Sequence, residues 1–98
     1  MGQTVWRRVV IEGRVQGVGF RAFVARLAEE HALAGNVTNR PDGAVECLIG
    51  GDPEGVRAVM IRLHKGPPLA RVSSVAVTEL EPGELGPEET LPARFSIL

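Results

Sequence analysis

The chain has 98 residues, 44% of them apolar and 23% charged, with a formal net charge of −1. That length holds one hydrophobic core, so residues 1–98 read as a single domain, and that charge offers no general attraction for nucleic acid or an anionic membrane. One cysteine makes no internal disulfide, two histidines suggest no zinc cluster, and the apolar run after Trp6-Arg7-Arg8 is too short for a signal or spanning segment.

Val5 to Glu12 is short and β-branched and reads as a strand ending at Gly13. Arg14-Val15-Gln16-Gly17-Val18-Gly19 holds too much glycine to continue it. From Phe20 the period changes: Phe20, Phe23, Val24, Leu27, Ala28 and His31 share one face of an amphipathic helix, with Gly35 as its terminator. Asn36–Asn39 and Ala44–Ile49 read as a hairpin around Arg40-Pro41-Asp42-Gly43. Pro41 suits the second position of a type I turn, and Gly43 the left-handed position after it. Val45, Cys47 and Ile49 fall on one face, which makes Cys47 a small core hydrophobe. Asp52 and Pro53 open a second helix carrying Val56, Val59, Met60 and Leu63, and Gly66-Pro67-Pro68 ends it. Val72 to Leu80 is a further strand whose apolar phase slips, so a bulge is expected near Ser73-Ser74. Residues 81–92 read as an exposed loop, and Phe95-Ser96-Ile97 as a short last strand.

The succession βαββαβ plus a terminal strand predicts an α+β fold. The architecture is a ferredoxin-like two-layer sandwich, an antiparallel sheet with two helices on one face. Many unrelated activities use it. A metal chaperone of this shape needs paired cysteines, and Cys47 is alone. An RNA binder needs stacking aromatics on central strands, where the sequence offers only Trp6, expected at an edge, and no Tyr.

Gly13 to Arg21 is the informative segment. Glycine-rich backbone running into a helix N-terminus lets amide N–H groups turn inward as an anion nest, and the helix dipole adds partial positive charge there. Arg21 falls in the first helical turn, an unfavourable place for a cation unless an anion sits between it and the dipole. Residues 1–40 also hold six Arg against three acids, while residues 41–98 hold five basic residues against nine acids. No Gly-Lys-Ser/Thr or dinucleotide fingerprint is present. Spacing alone leaves two readings open, an anion cradle or a glycine-rich connection with a surface arginine.

Gly13-Arg14-Val15-Gln16-Gly17-Val18-Gly19-Phe20-Arg21 resembles the G-x-V-Q-G-V-x-F-R signature of the acylphosphatase family. Gly35 to Gly43, with Asn39 just before the Pro41-Asp42-Gly43 turn, resembles its second motif. Gly66-Pro67-Pro68 with Ala70, Val72 and Val75 resembles its approach to the fourth strand. The resemblance implies hydrolysis of the carboxyl–phosphate bond of acyl phosphates. Arg21 matches the arginine that binds the phosphoryl group, and Asn39 the asparagine that positions water. The backbone N–H groups of Gln16, Gly17, Val18, Gly19, Phe20 and Arg21 match the phosphate cradle. Asn36 departs from the family, which very often has an aromatic residue there.

The chemistry agrees with what the loop lacks. A carboxylate leaving group has a conjugate acid of pKa about 4 and departs without a general acid. The loop carries no Asp, Glu, Cys or His, and positioning with charge neutralisation suffices for such a transfer. The expected enzyme is a cytoplasmic monomer with no metal and no cofactor. Its partners are a small acyl phosphate and inorganic phosphate, the latter as product and competitive inhibitor, with no nucleic acid and no membrane. His31 and His64 read as packing or surface residues, and Arg14 as a solvated loop arginine. The alternative hypothesis is a non-catalytic module that binds acyl phosphate or carbamoyl phosphate.

Overall fold

Side-chain alternation along the strands decides which face of the sheet is dry, and the helices cover that face. The computed structural model describes residues 3–81 and 94–98. Its elements are β1 (Val5–Arg14), α1 (Phe20–Glu30), β2 (Ala34–Asn39), β3 (Val45–Gly51), α2 (Pro53–Leu63), β4 (Arg71–Leu80) and β5 (Phe95–Ile97). The loop expected over 81–92 lies, from residue 82 on, outside the described residues. Val9 and Ile11 of β1, Val37 of β2 and Val45, Cys47 and Ile49 of β3 are all fully buried. Against them pack Val24, Leu27 and Ala28 from α1 and Val56, Val59 and Leu63 from α2, forming one cluster.

The strands lie in the order β4-β1-β3-β2-β5. The first four pair antiparallel as expected. β5, however, joins β2 in parallel, Gly35 to Val37 against Phe95 to Ile97, so the sheet as a whole is mixed. Register explains the direction. Leu80, Trp6, Gly50 and Ala34 form one row across an end of the sheet. A last strand that enters β2's free edge from that row must run the same way as β2.

Three local readings change. β1 does not stop at Gly13: it continues to Arg14, which pairs with Arg71. Glu12 pairs with Ser74 and Gly13 with Val72, leaving Ser73 as the extra residue of a bulge, where the slipped apolar phase placed it. Gly35 does not terminate α1. The helix ends at Ala32 in the left-handed region (φ 55°), with Leu33 N–H donating to Ala28 O (2.8 Å) and Ala32 N–H to Glu29 O (3.1 Å), a Schellman pair. Gly35 lies inside β2 at φ 132°, where a Cβ would collide with the Leu48 carbonyl oxygen. Trp6 stands near the start of an inner strand rather than at an edge of the sheet, its ring filling the place of a Gly50 side chain. Cys47 is the expected core residue, and desolvation, with the Glu46 charge adding a little, pushes its thiol pKa up and keeps it protonated.

Candidate active site

The segment between β1 and α1 is pinned at both ends by buried side chains. Val15 is 1% exposed and Phe20 is 2% exposed, whereas Gly17 and Gly19 between them face solvent. Phe20 packs edge-on against Phe23 (centroids 5.7 Å apart), and a Cβ on Gly66 would come within 2.7 Å of its ring. The loop therefore hangs from two fixed anchors. Gly17 and Gly19 both take left-handed conformations (φ 76° and 81°), which L side chains adopt at a cost. Alternation of this kind turns successive N–H groups to one side. Gly19 is the N-cap of α1, with no side-chain cap and no acidic residue in the first turn. The leading N–H groups of the helix thus keep their partial positive charge for an outside acceptor.

The β2–β3 hairpin brings the second group. Gly43 N–H donates to Arg40 O (3.1 Å) and Arg40 N–H to Ala44 O (2.8 Å), with Gly43 left-handed at φ 97°. Asp42 accepts from Ala44 N–H (3.1 Å), and this bond, helped by the Arg40 guanidinium, holds its carboxyl below the usual range despite some desolvation. Arg40 reaches both Asp42 (2.9 Å) and Glu46 (3.4 Å), and Glu46 also meets Arg8 (3.0 Å). Asn39 is the last residue of β2, half-buried and in register with Val45.

Gln16 joins the two halves. Its side-chain amide Nε2 donates to Arg40 O (2.8 Å) and Ala44 O (3.0 Å), the two carbonyls that bracket the turn. The sequence presents Gln16 as one of several cradle residues acting through backbone. Its amide has a further role as the brace that fixes the loop against the hairpin, and no short-range pattern in the sequence announces a bond to residues so distant.

Val15, Gly17, Gly19, Phe20, Arg21 and Asn39 line a common cavity of about 220 Å³, together with Ala22 and Ile97. Gly17, Gly19 and Arg21 of the glycine-rich segment thus meet Asn39, the residue that the family resemblance singled out. Val18 packs at the edge of the core beside it. Arg21 is exposed, its Nη1 donating weakly to Leu98 O at 3.5 Å. Of the six arginines in the basic N-terminal stretch, Arg7, Arg8 and Arg40 pair with Glu79, Glu46 and Asp42. Those partners lie in the acidic remainder of the chain, so half of these arginines are engaged in internal pairing. His31 is the exposed C-cap of α1, and His64 bonds back to Met60 O (2.9 Å); neither lines this cavity. Among the described residues no cluster of His, Cys, Asp or Glu could hold a metal ion.

A two-layer α+β sheet that offers a glycine loop, an uncapped helix end and one arginine to a small cavity has the features of an anion-binding protein. The comparisons with known proteins carry this further. The family model described as Acylphosphatase matches residues 7–96. An acylphosphatase from Thermococcus kodakarensis is 54% identical over 72 residues, 74% of this chain and 79% of the relative. The crystal structure of acylphosphatase from Bacillus subtilis superposes with a TM-score of 0.83 at 37% identity, covering 96% of this chain and 98% of that one. The chain is also similar to part of HypF from T. kodakarensis (TM-score 0.78, 34% identity), covering 96% of this chain and 12% of the larger one. The chain belongs to the acylphosphatase family, and its activity is the hydrolysis of acyl phosphates. Of the two hypotheses raised by the sequence, the enzyme stands. No helix among the described residues is long and apolar enough to cross a membrane.

Proposed function

We propose that Arg21 and the backbone N–H groups of residues 16–21 hold the phosphoryl group, and that Asn39 orients the attacking water. The observation that carries this is the single cavity shared by Gly17, Gly19, Arg21 and Asn39, at the end of a helix with no internal cap. Charge on the transferring phosphoryl oxygens meets the guanidinium, the nest and the helix dipole. Water held by the Asn39 amide attacks phosphorus, and the P–O bond to the acyl group breaks. The carboxylate leaves as a weak base, so no acid has to protonate it. Proton loss from the water falls to the bound phosphoryl oxygens, since neither an arginine nor an amide gives up or takes a proton near neutrality. The enzyme works in the cytoplasm as a monomeric, metal-independent domain.

Acetyl phosphate hydrolysis by Asn39→Ala, with inorganic phosphate as inhibitor, tests the division of labour. An interaction realised in the reaction lowers kcat and spares ground-state binding. We expect kcat to fall at least tenfold, on the order of one oriented hydrogen bond, with phosphate inhibition nearly unchanged. Equal losses in both would make Asn39 a phosphate-holding or structural residue.

A further inference from the structure

Beside the phosphate cavity lies a larger groove of about 540 Å³ between α1 and β5. The two share Ala22 and Ile97, so the groove adjoins the phosphate cavity. Ala25, Leu33 and Phe95 give the groove an apolar wall, and Arg26 and Arg94 add two guanidinium groups to it. Neither arginine has an ion-pair or hydrogen-bond partner among the described residues. Glu29 is the one carboxylate of the lining and leaves the groove cationic by one charge.

Spacing along α1 adds a length. Arg26 follows Arg21 by five residues, about 7.5 Å along the helix axis at 1.5 Å per residue. We infer that this groove receives the acyl part of the substrate, and that Arg26 and Arg94 favour acyl phosphates whose far end carries a second anion, carboxylate or phosphate. The inference rests on Arg21 and the 16–21 loop holding the phosphoryl group. The apolar wall takes the carbon skeleton, and the two arginines take the charge at its far end. A rival lies on the other side of the loop, where Arg14 and Arg71 stand opposite each other on β1 and β4 in a cavity of about 420 Å³. That cavity meets the loop at Gly17 and Val18, whereas the α1–β5 groove meets the phosphate cavity at Ala22, next to Arg21, and at Ile97, and the position beside Arg21 favours the α1–β5 groove.

The test compares kcat/KM for benzoyl phosphate and 4-carboxybenzoyl phosphate at about 0.15 M ionic strength, where charges beyond about 8 Å are screened. The rigid ring keeps the second carboxylate from attacking the acyl carbon. Wild type should prefer the carboxylated probe about three- to tenfold, the range of one or two exposed charge pairs. In the double variant Arg26→Gln/Arg94→Gln that ratio should fall close to one, through KM, because a remote anchor is used equally in ground and transition states. Arg57→Gln on α2 is the control and should keep the wild-type ratio. A wild-type ratio of one overturns the inference, as does a double variant that retains the preference. So does a ratio lost instead in Arg14→Gln/Arg71→Gln. Failure of the underlying site looks different: Arg21→Ala would then hydrolyse both probes at the wild-type rate.

Discussion

The two helices begin in opposite ways. α2 opens on Asp52, whose carboxylate accepts from Glu54 N–H (3.1 Å) and Gly55 N–H (3.3 Å), with a proline in the first turn and Glu54 against the dipole. Each of its orphan donors finds a partner of its own or needs none. α1 opens on a left-handed glycine with no side chain to give, no acid in its first turn, and an arginine at its second position. Taken as a helix, α1 is badly started. The difference separates a terminus completed by its own sequence from one left open, the one proposed above to meet the phosphoryl group.

The strongest way to break the contrast is to remove the cation. Arg21→Ala should cut acetyl phosphate turnover by about 30- to 1,000-fold, the 2–4 kcal/mol range of a lost charge-assisted contact at a transition state. Inhibition by phosphate should weaken in parallel, and far-UV circular dichroism should stay unchanged. Activity near wild type in the folded variant would remove Arg21 from the site.

The next change puts a negative charge at the bare terminus. Open space surrounds the Cβ position of Gly19, so an aspartate fits sterically. Its left-handed backbone costs on the order of 1 kcal/mol of stability, but its carboxylate occupies the field meant for phosphate. Gly19→Asp should weaken phosphate inhibition by at least tenfold, about 1.4 kcal/mol or more. Retained inhibition would mean that the helix end takes no part in binding. The smallest effect belongs to the other helix. Asp52→Ala should cost about 1 kcal/mol in urea unfolding with kcat/KM unchanged. Loss of activity there would show that the two termini are not independent.

Much of this contrast was legible in the sequence, because both helix starts depend on residues close together in the chain. Asp52-Pro53 is a cap signal in itself, and the run from Gly13 to Arg21 announces a loop without a cap. The hairpin was legible for the same reason, since Pro41 and Gly43 meet the dihedral demands of one turn. What escaped depends on distant partners. Gly35 looked like a helix stop, because a glycine near a helix end and a glycine under a neighbouring strand's carbonyl are the same letter. Ala32 carries the left-handed turn instead, without a residue type that advertises it. The parallel direction of β5 is invisible in three residues whose alternation is identical either way along. Asn39 joined the site through the family resemblance, as a turn asparagine alone carries no chemistry.

The brace made by Gln16 has a consequence for how the protein comes to life. Its amide bonds carbonyls 24 and 28 residues away, so the loop closes against the hairpin only after that whole intervening stretch has been folded back. Loop-closure entropy makes such contacts late compared with helix turns and hairpins. A chain emerging from synthesis with α1 already wound holds the Gly17 and Gly19 sequence but no braced cradle. On the proposed role of the loop, affinity for phosphate therefore requires the β2–β3 hairpin to be docked against it.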